Sequence, residues 1–597
     1  MNNFWIHPSL ILIFGALLLP LVPARLKKGY LLLVPALVFA RALTLSLGEF
    51  GQVQFLDWNL VFGRVDKLSR IFIHIMSLMC FIGTLYGVHV KEDSQHIAAW
   101  FYVAGSLGAI LAGDFITLFL FWEVMAFSSV FLIWFRGRRE SLAAGLRYLL
   151  VHVAGGLALL GGMVWHCKTT GSWSFNLLDV HHATPAIYLI MVGFLLNAAV
   201  PPLHAWLPDA YGEATFNGSV FMCAFTTKTA VYALIRGFAG MEILVPLGVC
   251  MALYGVVYAV LENDSRRLLA YHIISQVGYM VAGVGLGTEL AINGACAHAF
   301  AHILYKGLLF MGCGSVLYMT GQSKFTELGG LWKKMPWTFL FTLIGGLSIS
   351  AFPLFSGFVS KSMIVAAGFE DHKLWAGFLL MLASAGTFLH TGLKVPYFIW
   401  FGNNKPKPET EKRAGDPPWN MQAAMAIAAF LCIFIGCYTP YLYNMLPNAV
   451  EYHPYTAYHV SETLQILLFT ALGFFLLIKK LAPEPKISFD LDWFYRMGGR
   501  AFLRLARYPI QGTDNLVGEL YRLAGLIPLM LTSKLAALFD NGVIDGLVDG
   551  VAKGVRGIGS RLRLTQRGQM QENLTFAFAV AAVLIVAFIL FSNAFAR

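Results

Sequence analysis

The chain has 597 residues, of which 58% are hydrophobic and 13% charged, and its mean hydropathy is +0.66. A soluble domain carries roughly 25% charged residues, so this composition requires lipid as the main solvent. The formal net charge of +11 does not mark a nucleic-acid binder, because the basic residues fall in short clusters between apolar stretches and not on one solvated patch.

Helices and closed barrels are the two structures that satisfy every backbone group in hydrocarbon. Continuous apolar runs, in place of the alternation of a barrel strand, predict an all-α polytopic bundle. In chain order, windows near the ~20 residues needed to cross a bilayer fall at 9–24, 29–47, 71–90, 97–113, 115–135 and 143–166. They continue at 186–207, 217–238, 243–262, 268–286, 290–319, 337–366, 374–402, 420–445, 461–480 and 572–595. The first is expected to be a retained span, since no basic n-region or small-residue cleavage site accompanies it. The loops after odd-numbered spans collect the cations: Arg25, Lys27 and Lys28, then Arg136, Arg138 and Arg139, then Arg266 and Arg267. Lys324, Lys333 and Lys334 follow, then Lys405, Lys407, Lys412 and Arg413, then Lys479 and Lys480. The positive-inside rule places these loops in the cytoplasm of a bacterial-type inner membrane and both termini, Arg597 included, outside.

The seventh span is interrupted at Pro201 and Pro202 and the twelfth at Pro353 and Gly357. Each break frees backbone groups that cannot face lipid, and paired breaks in corresponding helices point to an ion path in repeat-built transporters. Simple proline kinks are the alternative. Five spans separate the breaks, which predicts two inverted five-helix repeats, residues 97–238 with helices 4 to 8 and residues 239–402 with helices 9 to 13. Residues 1–96 then hold helices 1 to 3, residues 403–486 helices 14 and 15, and residues 572–597 a final anchor. Within 487–571, Arg496, Arg500, Arg504 and Arg507 alternate with apolar residues. That is the pattern of an amphipathic basic segment on the cytoplasmic side, lying on the membrane or against neighbouring subunits. A plain linker is the alternative.

An ionisable group at the centre of a membrane helix costs at least ~2.5 to 3.5 kcal/mol on insertion scales, so each one needs a partner or a function. Glu123 lies in FLFWEVMAFSS, Lys228 in CAFTTKTAVYA and Lys361 in FSGFVSKSMIV. His298, His302 and Lys306 recur every fourth residue in AHAFAHILYKGLLF, on one face of span eleven. Taken singly, each reads as a hydrogen-bonded core histidine or a structurally paired lysine. Taken together, groups that load and release protons, next to two helix breaks, predict a proton relay with gates. Eight cysteines without a CxxC pair read as small buried hydrophobes. The chain has no nucleotide-binding loop, and no catalytic, metal or cofactor site is expected in it.

The segments PPLHAWLPDAYGEA, TTKTAVY, DSRRLLAYHIISQVGYM, HAFAHILYKGLLF and FPLFSGFVSK resemble those of the antiporter-like proton-channel subunits. That family is shared by respiratory complex I, membrane-bound hydrogenases and Mrp-type multi-subunit cation/proton antiporters. The likeness runs closely over residues 60 to 400. The stretch FDNGVIDGLVDGVAKGVRGIG before the last span resembles the tail of the largest such subunit of complex I, which in the family can form a long helix along the membrane arm. The resemblance implies fourteen core helices, two inverted repeats, a channel through each broken helix and a charged axis along the membrane centre. It carries Glu123 onto the glutamate of span five, Lys228 onto the lysine of span eight, Lys361 onto the lysine of span twelve, and His298, His302 and Lys306 onto the span-eleven relay. One position departs. Most pumping members place a lysine just before the span-seven break, where this chain has Asn197, which cannot exchange a proton near neutrality. Glu123 is then expected to be neutral, leaving the glutamate–lysine switch of the first repeat in doubt, unless His152, Arg147 or a neighbouring subunit supplies charge.

The leading expectation is an ion-translocating subunit among other membrane subunits of a multi-subunit antiporter or respiratory-type complex. It would move protons, with Na+ carried by companions as one form of coupling. A quinone oxidoreductase is a second class, for which the sequence offers no flavin, haem or iron–sulfur ligands. A third is a non-pumping partner, either a scaffold or the cation-channel half of an inorganic-carbon uptake complex.

Overall fold

A computed structural model describes residues 5–402, 407–486, 489–565 and 568–594. Lys405 and Arg597, used above to orient the chain, lie outside these residues. Two compact units divide the chain after Asp492. Among the described residues, twelve helices are long and apolar enough to cross a membrane, and three shorter apolar helices join them.

The first unit opens with α1 (Pro8–Leu18) and α2 (Ala24–Leu43). An antiparallel hairpin of β1 (Gly48–Phe55) and β2 (Trp58–Val65) then occupies the stretch between predicted spans two and three. Helix α3 (Lys67–Gly87) starts at a capping box in which Asp66 and Ser69 exchange side-chain and backbone hydrogen bonds. Next come α4 (Asp93–Leu111), α5 (Phe115–Trp134) and α6 (Arg139–Thr170). The seventh span is α7 (Pro185–Asn197) and, beyond the proline break, α8 (Trp206–Glu213). The eighth, read from sequence as continuous, is also interrupted: α9 (Gly218–Ala224) and α10 (Thr226–Phe238) meet at Phe225. There the Tyr102 hydroxyl of α4 accepts the Thr226 N–H at 2.9 Å.

Helices α11 (Leu244–Leu261), α12 (Ser265–Leu286) and α13 (Glu289–Thr320) follow. The twelfth span is α14 (Pro336–Ile349) and α15 (Ser356–Glu370), split at Pro353. Helix α16 (Leu374–Thr387) widens into π-helical turns over Phe388–Lys394 and Tyr397–Phe401. Pro396, which lacks an N–H, lies between those two stretches. The unit closes with α17 (Pro408–Arg413), α18 (Trp419–Cys437), α19 (Thr439–Tyr443) and α20 (Ala457–Leu476). All eight cysteines are free, and six are buried.

Two stretches of this unit share one plan. Helices α6 and α13 each run 32 residues and end on a left-handed glycine, Gly171 and Gly321. Asp114 and Asp264 cap α5 and α12 and form matching isolated bridges to Ser174 and Lys324. The breaks match as well. Ala199 (φ 59°) precedes Pro201 as Ala351 (φ 58°) precedes Pro353. Val200 N–H reaches back to Leu195 O as Phe352 N–H does to Leu347 O. A positive φ at alanine costs of order 1–3 kcal/mol and persists only where the surroundings hold it. Finding it twice at corresponding places makes it a built feature. The central spans are the most enclosed: the apolar windows of Gly218–Phe238 and Ser265–Leu286 are 100% buried and that of Glu289–Thr320 is 94% buried, so these three helices face protein and not lipid.

The second unit, from Trp493 onward, takes in the rest of α21 (Asp492–Leu564), a helix of 73 residues with an apolar window long enough to cross a membrane. Looser π-helical turns punctuate it at Ala506–Ile510, which contains Pro509, at Arg522–Leu526 and at Asp540–Ile544. Within the predicted 487–571 segment, Asp492–Leu564 is thus one long helix, and α22 (Met570–Ala594) follows it.

Candidate functional site

Two lysines sit where helices are interrupted. Lys228, fully buried, donates to the Cys223 carbonyl at 2.6 Å and to Thr227 Oγ1 at 3.1 Å. Lys361 donates to the Ile349 carbonyl, the last of α14, at 3.1 Å and to Ser384 Oγ at 3.3 Å, with the Tyr279 ring 5.3 Å away. Carbonyl dipoles released by a broken helix thus offset part of the cost of placing an amine in hydrocarbon. Gly357 makes this possible in α15: a Cβ there would lie 1.8 Å from Ser348 O. Pro353 ends α14, and the peptide Pro201–Pro202 is cis.

Between the lysines runs the α13 row. His298 faces Ser360 Oγ and Gln276 Oε1, each at 3.2 Å, and the Tyr305 hydroxyl at 3.4 Å. The His302 ring stands 6.1 Å from that of His298, and neither of its nitrogens has a protein partner among the described residues. Lys306 Nζ lies 3.1 Å from His272 Nδ1. All six side chains from Lys228 to Lys361 in this set, Gln276 included, are buried, at 2% exposure or less. Such a row can hand a proton between neutral nitrogens over short steps.

The Glu123 side is built differently. Its Oε1 is buried without a hydrogen-bond partner among the described residues, pressed against Gly156, where a Cβ would meet it at 2.3 Å. Asn197 Nδ2, at the end of α7, has none either. Arg147 is not available to replace the missing lysine, because its guanidinium grips Asp209 through two bonds of 2.7 and 3.0 Å. His152 stacks on Tyr148 at 3.9 Å and bonds the Tyr148 carbonyl, leaving Nε2 without a partner. Glu123 borders a groove of about 580 Å³ with Ile97, Phe101 and Phe127 between α4 and α5.

Sequence reasoning missed several neighbours. His272 lies inside the quoted AYHIISQ run. His390 and Lys394, four residues apart, satisfy the same rule of ionisable groups in an apolar span. The His272 and His390 rings are 4.7 Å apart, and Lys394 donates to Val260 O at 2.6 Å and Glu262 O at 2.8 Å. Asp490, before α21, carried no signal. Its carboxylate takes hydrogen bonds from His204 at 3.2 Å, from Tyr271 at 2.5 Å and from Tyr254. Burial alone would raise the Asp490 carboxyl, but the bonds from His204, Tyr254 and Tyr271 outweigh it and hold it well below the usual carboxylate range.

A cavity of about 700 Å³ reaches Lys361 and is bordered by Glu370, His453, His459 and Glu462. Among the described residues no three His, Cys, Asp or Glu side chains are grouped to hold a metal ion.

The family model described as NADH:quinone oxidoreductase/Mrp antiporter, TM, matches residues 112–389. One of the Na+/H+ antiporter subunits of Alkalihalophilus pseudofirmus is 30% identical over 407 residues, 64% of this chain and 81% of that protein. A chain of the Mrp complex from Dietzia sp. DQ12-45-1b superposes with a TM-score of 0.67 at 21% identity, covering 77% of this chain and 98% of that one. A chain of the membrane-bound sulfane sulfur reductase, an archaeal respiratory membrane complex, gives a TM-score of 0.69 at 23% identity, covering 97% and 99%. The two structural likenesses concern the fold, while the matched relative and family model establish descent: this multi-pass membrane chain belongs to the NADH:quinone oxidoreductase/Mrp antiporter family.

Proposed function

We propose that the chain is a proton-translocating subunit of a multi-subunit cation/proton antiporter or respiratory-type complex. The observation that carries this reading is the buried row of exchangeable nitrogens on the most enclosed helices, ending at lysines beside helix breaks. Lys228, Lys306, His302, His298 and Lys361 are the proposed relay, with Glu123 the acidic end of the first half. Asn197, Pro201, Pro202, Pro353 and Gly357 shape the gates. A relative named as a Na+/H+ antiporter subunit supports companion membrane subunits and coupling to Na+ through them. The two stretches of matching plan support repeats over 97–238 and 239–402. The loop cations support a cytoplasmic-membrane location with both termini outside and the 487–571 segment inside.

The chemistry needs only N–H and O–H bonds to form and break. A neutral lysine beside a break accepts a proton, becomes an ammonium held by carbonyl dipoles, and yields it to the next imidazole when water or a neighbouring charge changes. The test is proton flux through the assembled complex in liposomes, read with a pH-sensitive dye. Lys361→Ala should assemble and carry no flux. Normal flux in that variant would remove the relay reading, and a wild-type complex that passes no protons would favour a scaffold.

A further inference from the structure

We infer that Lys394, His390 and His272 form a second proton arm, joining Lys306 to the membrane face where α11 ends. The second half of the chain then holds a path from one face to the other that bypasses the broken helix α7–α8. The inference rests on the proton-transport reading above.

The groups follow one another from the end of α11 inward, Lys394 and His390 by their four-residue spacing and the rest by contact. Lys394 Nζ sits on the Val260 and Glu262 carbonyls at 2.6 and 2.8 Å, at the end of α11. His390 lies one turn back, in the π-helical stretch where Val395 N–H bonds His390 O; such widened turns recur at functional sites. His390 faces His272 at 4.7 Å between rings, and His272 Nδ1 faces Lys306 Nζ at 3.1 Å. A buried histidine kept for structure has its nitrogens bonded. Here Nε2 of His272 has no protein partner among the described residues, and the His390 ring, beside the Gly386 carbonyl, meets no side-chain partner there.

The far end of the row lies at the other face. Helices α11, α12, α13 and the α14–α15 pair cross in alternate directions, so the end of α15 is opposite the end of α11. The Lys361 cavity reaches Glu370, the last residue of α15. The first half has Asn197, which cannot exchange a proton, before its break.

Protons balance along the arm. A neutral Lys394 takes one from water at the face and passes it to a ring nitrogen of His390. The imidazolium gives it to Nε2 of His272, and Nδ1 of His272 releases a proton to Lys306. Lys394 and His390 end neutral and His272 ends as the Nε2–H tautomer, and a ring rotation that turns Nε2–H toward Lys306 and Nδ1 toward His390 readies it for the next proton.

The bland role for Lys394 is to cap the last turn of α11, which arginine would also fill. The experiment compares Lys394→Arg, His390→Gln and Lys361→Ala in the assembled complex in liposomes, with subunit recovery measured alongside flux. Because Arg holds its proton and Gln cannot relay one, Lys394→Arg and His390→Gln should each assemble and lose roughly tenfold or more of the flux. Should Lys394→Arg fail to assemble, His390→Gln decides alone, since Gln at 390 keeps an N–H able to face the Gly386 carbonyl. Normal flux in His390→Gln overturns the arm. If Lys361→Ala is inactive in that same experiment, the proton-transport reading stands without it. Normal flux in Lys361→Ala removes both.

Discussion

At the first break Ala199 leads into Pro201 and at the second Ala351 leads into Pro353, both with φ near 58°, but the side chains placed on these matching backbones differ at each corresponding step. Four residues before the proline stand Asn197 and Ile349, three after it His204 and Ser356, and eight after it Asp209 and Lys361. In the first half Asp209 is locked by Arg147 and His204 by Asp490. In the second, Lys361 donates to neutral groups, the Ile349 carbonyl and Ser384 Oγ, and opens to a cavity. The backbone of a break supplies freed carbonyls in both places. Whether it handles ions depends on whether its charges are already paired, because a paired buried charge is costly to release.

The largest effect is expected at Lys361. Lys361→Ala should lower proton flux by ~100-fold or more, and Lys361→Arg nearly as far, since Arg does not release its proton. If Asp209→Asn instead caused the larger loss, the functional half would be the first.

Asp490 tests whether the first break is held shut by its lock. Asp490→Asn should weaken docking of the 489–491 segment by about 1.5–3 kcal/mol, the range for hydrogen bonds to a charged group. The loss would be measured as faster maleimide labelling of a cysteine placed at Leu491. Its carboxyl is held low when docked, so the stabilisation is complete above the ordinary carboxylate value near about 4 and fades as pH falls toward the docked value. Labelling in the parent should therefore stay flat through neutral pH and rise only in acid.

Position 357 sharpens the contrast at the backbone. The first break carries Ala205 where the second carries Gly357. Gly357→Ala forces a Cβ onto Ser348 O and should destabilise by about 1–3 kcal/mol, as overpacking does, read as a lower melting temperature of the purified chain.

The smallest effect is expected at Glu123. Without a partner, Glu123→Gln should change flux by less than about twofold, against the ~100-fold at Lys361. In an Asn197→Lys background the same substitution should cost more, because the new ammonium recruits the carboxylate. A large loss from Glu123→Gln alone would assign the missing cation to a neighbouring subunit reaching the α4–α5 groove.

By itself, the sequence determined that this is a multi-pass helical bundle, since a backbone in hydrocarbon has no other open form that satisfies its hydrogen bonds. It also determined the breaks at Pro201 and Pro353, because a missing N–H and a ring clash act locally. The ionisable groups Lys228, His298, His302, Lys306 and Lys361, all buried, and the half-buried Glu123 were legible too, since their cost at mid-span is independent of what surrounds them. Only the tertiary structure decided who meets whom. The interruption at Phe225 depends on Tyr102 arriving from another helix. Arg147 is spent on Asp209, and Asp490 reaches His204 across 286 residues. The His272–His390 contact joins two helices that share no local motif. Hydrophobic windows report the cost of each segment against lipid, whereas pairing is a property of distant segments brought together.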